Sequence, residues 1–580
     1  MIQVHNQNYT TYENDIRALL QSFFPGEEMR LGGGKSAAEN AAGDVTEKAG
    51  EKPAESVSVS DAGNAGEKPS ESASASPSEN AGQEPVTVDV DAICRGIIRG
   101  DDRFEDKSTV KLALYNYLRE LTGRELPWGT LTGIRPVRIV EMMEAKGLFG
   151  AAAREKIRAM FAVSEEKLDL MFDIHEREQQ VLERLGDYKD GYSIYINIPF
   201  CPTRCLYCSF TSNPIELWEQ RVDEYLDDMR RELEQIHALA DKELQTIYIG
   251  GGTPTALSAA QLDKLLTMVG DIFGRIQVPA CDVPACNAQE CSTPEADVPA
   301  ETNARMRIAV QELTVESGRP DSITQEKLAV LLKHGVDRIS INPQTMHQKT
   351  LDLIGRRHTV EQTREAYELA RGMGFDNINM DLIMGLPGED LADVRETLRE
   401  IRRMKPDSLT VHALAVKRSS RLSTEGKAWG NADGVERKGQ DAESAAEAAE
   451  MTRLGAETAK ALGLEPYYLY RQKNMAGNQD NVGYTVPGKE SIYNILMMEE
   501  KHTVIGVGAG ASTKFVSYSP LSEETPDPED AADFSETHTG ARPQLRKEVR
   551  RFENVKNIGD YLARIDELLE KKREFLSETD

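Results

Sequence analysis

No apolar run in this 580-residue chain approaches the roughly 20 residues a membrane helix needs. The opening residues, Met1-Ile-Gln-Val-His-Asn-Gln-Asn-Tyr-Thr, lack the basic-then-apolar pattern of a secretory signal, so the sequence reads as cytoplasmic. Cysteine is scarce: seven residues, an odd number, with three crowded into one short segment, which fits a reducing compartment and argues against a disulfide framework. Positive charge is in the minority, with 69 Lys and Arg against 97 Asp and Glu and a net charge of -28. Eighteen of those net charges sit in three segments, 34–86 (-6), 278–304 (-5) and 519–540 (-7). The acidity therefore bears on solubility rather than on a substrate, and no nucleic-acid partner is expected.

Aromatic residues are absent from 34–86, which instead repeats itself: Ala49-Gly-Glu-Lys-Pro53-Ala-Glu-Ser returns sixteen residues later as Ala65-Gly-Glu-Lys-Pro69-Ser-Glu-Ser. Such a segment cannot bury enough surface to order itself and reads as a flexible linker. The 278–304 segment carries Cys281, Cys286 and Cys291 among Val-Pro-Ala repeats and reads as a disordered insert, with an auxiliary iron-sulfur site as the competing reading of its cysteines, and 519–540 reads as a second disordered insert. Cys94, beside an apolar pair, reads as a packed thiol.

What is present is 39% apolar residues, enough for real cores and for two to four domains. The most informative stretch is Tyr195-Ile-Asn-Ile-Pro-Phe-Cys201-Pro-Thr-Arg-Cys205-Leu-Tyr-Cys208-Ser-Phe210, a C-x3-C-x2-C loop directly after an apolar strand pattern. Three such thiolates can hold three irons of a 4Fe-4S cluster and leave the fourth iron open, whereas structural zinc is normally closed by a fourth Cys or His. A zinc knuckle with a distant fourth ligand, or cysteines that merely pack, are the competing readings of the spacing alone. A second strand pattern, Thr246-Ile-Tyr-Ile, ends in Gly250-Gly251-Gly252-Thr253, where glycines let backbone approach a ligand closely.

Together these motifs resemble the radical S-adenosylmethionine (SAM) superfamily. The flanking segments narrow the resemblance to the oxygen-independent coproporphyrinogen III oxidase family, HemZ-type branch: Glu312-Leu-Thr-Val-Glu316-Ser-Gly-Arg-Pro320-Asp, Arg338-Ile-Ser-Ile-Asn-Pro-Gln344, Ile354-Gly-Arg356, Met380-Asp381 through Pro387, and Tyr467 through Asn478. The resemblance runs from about Tyr195 to Lys514. It implies a 4Fe-4S cluster on Cys201, Cys205 and Cys208, and SAM contacts from Tyr195, Phe210, Gly251, Gly252, Thr253, Glu316, Gln344, Arg356 and Asp381. Tyr195 and the three cysteines would be the catalytic set. It further implies oxidative decarboxylation of coproporphyrinogen III to protoporphyrinogen IX in heme biosynthesis, with an electron donor such as flavodoxin or ferredoxin and a separate electron acceptor. Ser209 and Asn197 stand where the best-known oxidases have cysteine and histidine, and the related heme chaperones also lack that cysteine, so binding and delivery of heme is the alternative. Arg471 and Lys473 are candidate cations for a carboxylate-rich substrate.

Six short β-branched or apolar runs, Ile194 to Ile198, Thr246 to Ile249, Leu313 to Val315, Arg338 to Ile341, Ile378 to Ile383 and Leu409 to Leu414, are separated by helical patterns. Repeated βα units imply a parallel sheet with its chemistry at the strand C-termini. The expected fold is α/β, a partial open (β/α)6 barrel at 191–425. An N-terminal α/β segment (1–33), the linker (34–86) and a mainly helical domain (87–190) precede it, and a small α+β closing module (426–580) follows. The Trp128 to Arg138 loop and the Gly506-Val-Gly-Ala-Gly510 run read as structural turns.

Overall fold

A computed structural model of the chain describes residues 1–24, 27, 29–32, 86–95, 103–133, 135–208, 212–240, 242–278, 305–415, 442–471, 478–520 and 545–577. The linker and the two inserts fall outside these residues except at their ends, as do Phe210, Lys473, Cys281, Cys286 and Cys291.

The first unit is a small parallel sheet in which β1 (Ile2–His5) lies between β2 (Met29–Gly32) and β3 (Val86–Asp89). Ile2 and Val4 turn inward with the period of a strand, and Ile16, Leu19, Leu20 and Phe23 do so with the period of a helix. They meet Val88, Leu114 and Leu118 in one core, so residues on both sides of the linker share it. Cys94 is wholly buried there, and burial pushes its thiol up to about 11.

The main sheet is built on β4 (Gly191–Ile198), β5 (Glu243–Gly251), β6 (Glu312–Val315), β7 (Arg338–Ser340), β8 (Ile378–Met384) and β9 (Ser408–Ala413), each parallel to the next. These are the six runs marked by the sequence. Their outward residues, such as Leu313, Val315, Ile339, Leu382 and Val411, are buried under the connecting helices. Each such side chain contributes about 1.5–3 kcal/mol on burial. Reciprocal capping boxes start three of those helices, at Ser258 with Gln261, Thr359 with Gln362 and Asp390 with Asp393. A cap of this kind is worth about 1 kcal/mol and fixes where the chain turns back from sheet to helix.

The C-terminal residues extend this sheet at both edges. The hairpin β10 (Glu465–Tyr470) and β11 (Asn481–Thr485) adds antiparallel to β9, while β12 (Thr503–Val507) adds parallel to β4 and is followed by antiparallel β13 (Ser512–Pro520) and β14 (Leu545–Glu553). The order is β10-β11-β9-β8-β7-β6-β5-β4-β12-β13-β14. Tyr468 on β10 and Ser512 on β13, near opposite ends of that order, line the same cavity, so the sheet curls round it. Because β4 and β9 do not pair, the barrel stays open.

β12 is a seventh parallel strand whose last residues, Gly506 and Val507, overlap the run that the sequence marks as a glycine turn. Gly506 belongs to the strand, and a Cβ there would meet the Ser512 backbone at 2.6 Å. The turn proper begins at Gly508, whose φ of 93° requires glycine. A buried knot holds it. The Glu232 carboxylate accepts from the Gly508 amide at 2.9 Å, from Asn554 and Tyr561 at 2.8 Å and from Lys572 at 2.5 Å, which fastens the C-terminal helix Ile565–Ser577 to the barrel.

Candidate active site

The cysteine loop leaves the C-terminal end of β4 and the glycine loop leaves the end of β5, and backbone bonds join them. The Gly252 amide donates to the Ile198 carbonyl at 2.8 Å, and the Thr253 amide to the Phe200 carbonyl at 2.7 Å. A Cβ on Gly252 would stand 2.5 Å from the Phe200 oxygen and 3.0 Å from the Cys201 sulfur, so the approach needs glycine. Thr253 Oγ1 lies 3.4 Å from Cys201 Sγ. Farther along, the Leu206 amide donates to the Ile354 carbonyl at 3.0 Å, tying the cysteine loop to the segment that carries Arg356.

Cys201 and Cys205 are buried and Cys208 is half-buried. Burial pushes the Cys201 thiol up to about 11, with the Thr253 hydroxyl opposing it, so a metal rather than the protein must displace this proton. Arg319, which the sequence reading passed over, braces the loop. It grips Asp321 with bonds of 2.9 and 2.8 Å, donates to the Thr203 carbonyl at 3.2 Å and reaches within 4.0 Å of Cys205 Sγ.

Arg356, buried, donates to the carbonyls of Asn342 and Gly318, and its Nε has no partner among the described residues. Gln344 is held at a φ of 66°, a left-handed conformation that costs a side-chain-bearing residue about 1–3 kcal/mol. Two backbone bonds to β8, from the Gln344 amide to the Asp381 carbonyl and from the Ile383 amide to the Gln344 carbonyl, both 3.0 Å, keep it there.

The two acids are pushed apart electrostatically. Burial raises Glu316 to about 7, although Tyr248 donates to it at 2.5 Å. Burial would raise Asp381 as well, but His412, Asn379 and Thr410 together hold its carboxyl below the ordinary range, with Asn379 donating at 2.7 Å and His412 Nε2 standing 3.8 Å away. At neutral pH one is therefore partly protonated and the other is ionised. Tyr195 stacks at 6.2 Å from Tyr248 and 6.3 Å from Tyr493.

All of these groups face one cavity of about 710 Å³. Its wall includes Tyr195, Cys201, Cys205, Cys208, Gly251, Gly252, Thr253, Glu316, Gln344, Arg356 and Asp381, which is every described residue marked for cluster or SAM. The C-terminal residues add Tyr468, Tyr493, Met497 and Met498 to the same wall. No sequence pattern singles out Tyr248, Tyr493, His412 or Arg319, because their roles depend on contacts between distant strands.

Arg471 does not join the wall. Its guanidinium lies 5.2 Å over the Trp128 ring and donates to the Leu131 carbonyl and to Asn478. Trp128 Nε1 in turn donates to Asp480 at 2.7 Å, an acid also paired with Lys167 at 2.7 Å. The Trp128 loop is thus a structural clasp, and Arg471 is its fastener rather than a substrate cation. Besides Arg319 and Arg356, the cations on the cavity wall are Arg338, Lys514 and Lys556.

The wall fits a cluster and a polar nucleotide-sized ligand: it carries three sulfur donors, and its residues Arg356 and Ser340 each keep a buried polar atom, Nε and Oγ, without a partner among the described residues. Among the described residues no helix is long and apolar enough to cross a membrane.

Residues 195–401 match the radical SAM superfamily. The chain is 40% identical over 413 residues to the oxygen-independent coproporphyrinogen-III oxidase-like protein HemZ of Bacillus subtilis, covering 71% of this chain and 74% of that protein. It is 34% identical over 226 residues to the heme chaperone HemW of the same organism, 39% of this chain but only 51% of the chaperone. Among solved structures, the Escherichia coli coproporphyrinogen III oxidase HemN, described as a radical SAM enzyme, aligns with a TM-score of 0.44 and 18% identity over 67% of this chain and 73% of that one.

Proposed function

This chain belongs to the HemZ-type branch of the oxygen-independent coproporphyrinogen III oxidase family in the radical SAM superfamily, and from that membership we propose that it oxidatively decarboxylates coproporphyrinogen III to protoporphyrinogen IX. The observation that carries the proposal is the continuity of the cavity, which joins a three-thiol loop to an aromatic and thioether wall suited to a large ring system. When bound, the reduced cluster and SAM supply a 5'-deoxyadenosyl radical.

The chain's own residues hold, orient and shield. Cys201, Cys205 and Cys208 hold the cluster, and Arg319 positions their loop. Gly251 to Thr253 offer backbone to the SAM amino group, and Arg356 offers a fork to its carboxylate. Glu316, Gln344 and Asp381 would take amino and ribose groups of SAM, and Tyr195 would stand near its sulfonium. Two of the four propionates would each give a hydrogen atom from the β-carbon to the 5'-deoxyadenosyl radical, forming 5'-deoxyadenosine, and then lose carbon dioxide and one electron to an acceptor, leaving a vinyl group. A low-potential donor of flavodoxin or ferredoxin type would supply the reducing electron.

The similarity to HemW supports a second reading, heme binding and delivery. Anaerobic incubation of reconstituted protein with coproporphyrinogen III, SAM and reductant separates the two. The oxidase forms vinyl product with carbon dioxide matching 5'-deoxyadenosine, and Asp381→Ala and Glu316→Ala lose product while keeping their iron. Stoichiometric heme capture with no vinyl product, under conditions where SAM is cleaved, would establish the chaperone instead.

A further inference from the structure

Arg338 opens β7 and is 2% exposed, yet its guanidinium faces the cavity. Its buried Nε has no hydrogen-bond partner, and among the described residues no carboxylate pairs with it. The register places it opposite Thr314, which is itself opposite Tyr248. That is one inward-facing step, about 7 Å, beneath Glu316. Tyr248, Tyr467, Tyr468 and Glu312 lie within its field. Glu312 is already engaged, accepting from Thr314 at 2.8 Å, from Ser491 at 2.9 Å and from the Ile492 amide.

An unpaired guanidinium withdrawn from water is costly, and buried charges persist where a counter-charge arrives. The missing partner must be an anion small enough to reach the lumen floor, with tolerance above it for tyrosine faces. A flexible carboxylate arm on a ring system has both properties. Arginine's planar fork suits a carboxylate better than a lysine's point charge does.

We propose that Arg338 anchors one carboxylate of the substrate at the floor of the lumen, while the tyrosine wall formed by Tyr248, Tyr468 and Tyr493 receives the ring body. This rests on the decarboxylase reading and deepens it: Arg338 fixes which arm of the substrate lies beneath the SAM site.

The test is binding rather than turnover. Coproporphyrin III, a stable tetracarboxylate, and its tetramethyl ester are titrated against cluster-loaded wild type, Arg338→Gln and Arg338→Lys under anaerobic conditions. Wild type is expected to prefer the acid to the ester, Arg338→Gln to bind the acid about 10- to 100-fold more weakly with little change for the ester, and Arg338→Lys to recover part of the loss. Iron content and the urea midpoint should not fall in Arg338→Gln, because no hydrogen bond or ion pair of Arg338 among the described residues is lost. Equal binding of the acid by wild type and Arg338→Gln overturns the anchor while leaving the decarboxylase reading intact. A fall in urea midpoint that Glu312→Gln reverses in the double variant shows Arg338 to be a structural counter-ion and also overturns it. Wild type that binds neither porphyrin removes the decarboxylase reading, and the anchor with it.

Discussion

Lys572 and Arg338 are both withdrawn from solvent, one at the C-terminal knot and one in the barrel lumen, and their surroundings are opposites. Lys572 pairs with Glu232 at 2.5 Å, and Glu232 collects three further donors. Arg338 has no such partner among the described residues. A buried charge whose bonds are complete within the chain holds the fold together. One whose bonds are incomplete is kept for something that arrives. The same contrast runs along single strands: on β6, Leu313 and Val315 pack outward into the core, whereas Glu312 and Thr314, followed by Glu316 just past the strand end, alternate with them on the inward polar face.

The widest separation of the two regions should come from the cysteine loop. Cys201→Ala, Cys205→Ala and Cys208→Ala should each drop iron content and SAM cleavage to background while the urea midpoint of the apoprotein moves little, since no described bond of the C-terminal knot involves them. Iron assays and 5'-deoxyadenosine yield check this. Retained SAM cleavage in any of the three would show that the loop does not hold the cluster.

The converse experiment attacks the knot. Lys572→Met leaves Glu232 buried without its cation and should cost about 3–5 kcal/mol of stability, while SAM cleavage per folded molecule persists. Urea unfolding alongside specific activity measures both. A stability change below about 1 kcal/mol would mean the pair is not what fastens the C-terminal helix.

Within the lumen, Glu316 sharpens the comparison through pH. Burial raises its carboxyl from 4.5 to about 7, so the neutral acid is the form the fold favours. Its contribution to stability is complete below pH 4.5 and is lost as pH rises through 7, by up to about 3 kcal/mol. Apoprotein carrying Glu316→Gln should therefore lose less stability between pH 5 and 8 than wild type does. Parallel pH profiles for the two proteins would contradict the assignment.

How far the sequence shows this architecture depends on whether a signal is local. The six barrel strands announce themselves as β-branched or apolar runs because every second residue packs outward under the helices, alternating with residues that face the lumen. The cysteine and glycine loops are legible for the same reason, each being a contiguous run. β12 is not, since Gly506 and Gly508 weaken its strand pattern and its place beside β4 is fixed by the distant Glu232 knot. Arg471 illustrates the opposite error: a cation in a motif-rich segment suggests substrate, yet only the fold reveals Trp128 beneath it. Arg338 stands in a quoted motif without a role, because being unpaired is a property of the space around a residue.

The smallest effect expected lies in the 34–86 linker, and here the N-terminal sheet refines what composition alone suggests. A low-complexity segment without aromatics should be dispensable, but β2 and β3 flank β1 on opposite sides and both run parallel to it. The chain leaving Gly32 must return along the strand and cross over β1 before Val86, about 14 Å in a straight line through β1 itself and farther around it. Removing 36–84 leaves four residues that reach about 17 Å when fully extended, too little for a crossover that normally takes a dozen residues or more. Removing 44–78 leaves eighteen. The shorter deletion should therefore preserve iron content, SAM cleavage and thermal midpoint, whereas the longer one should lower the thermal midpoint of the N-terminal unit while leaving the barrel's SAM cleavage largely intact. A large fall in SAM cleavage on removing 44–78 would show that the repeated segment binds something the barrel needs.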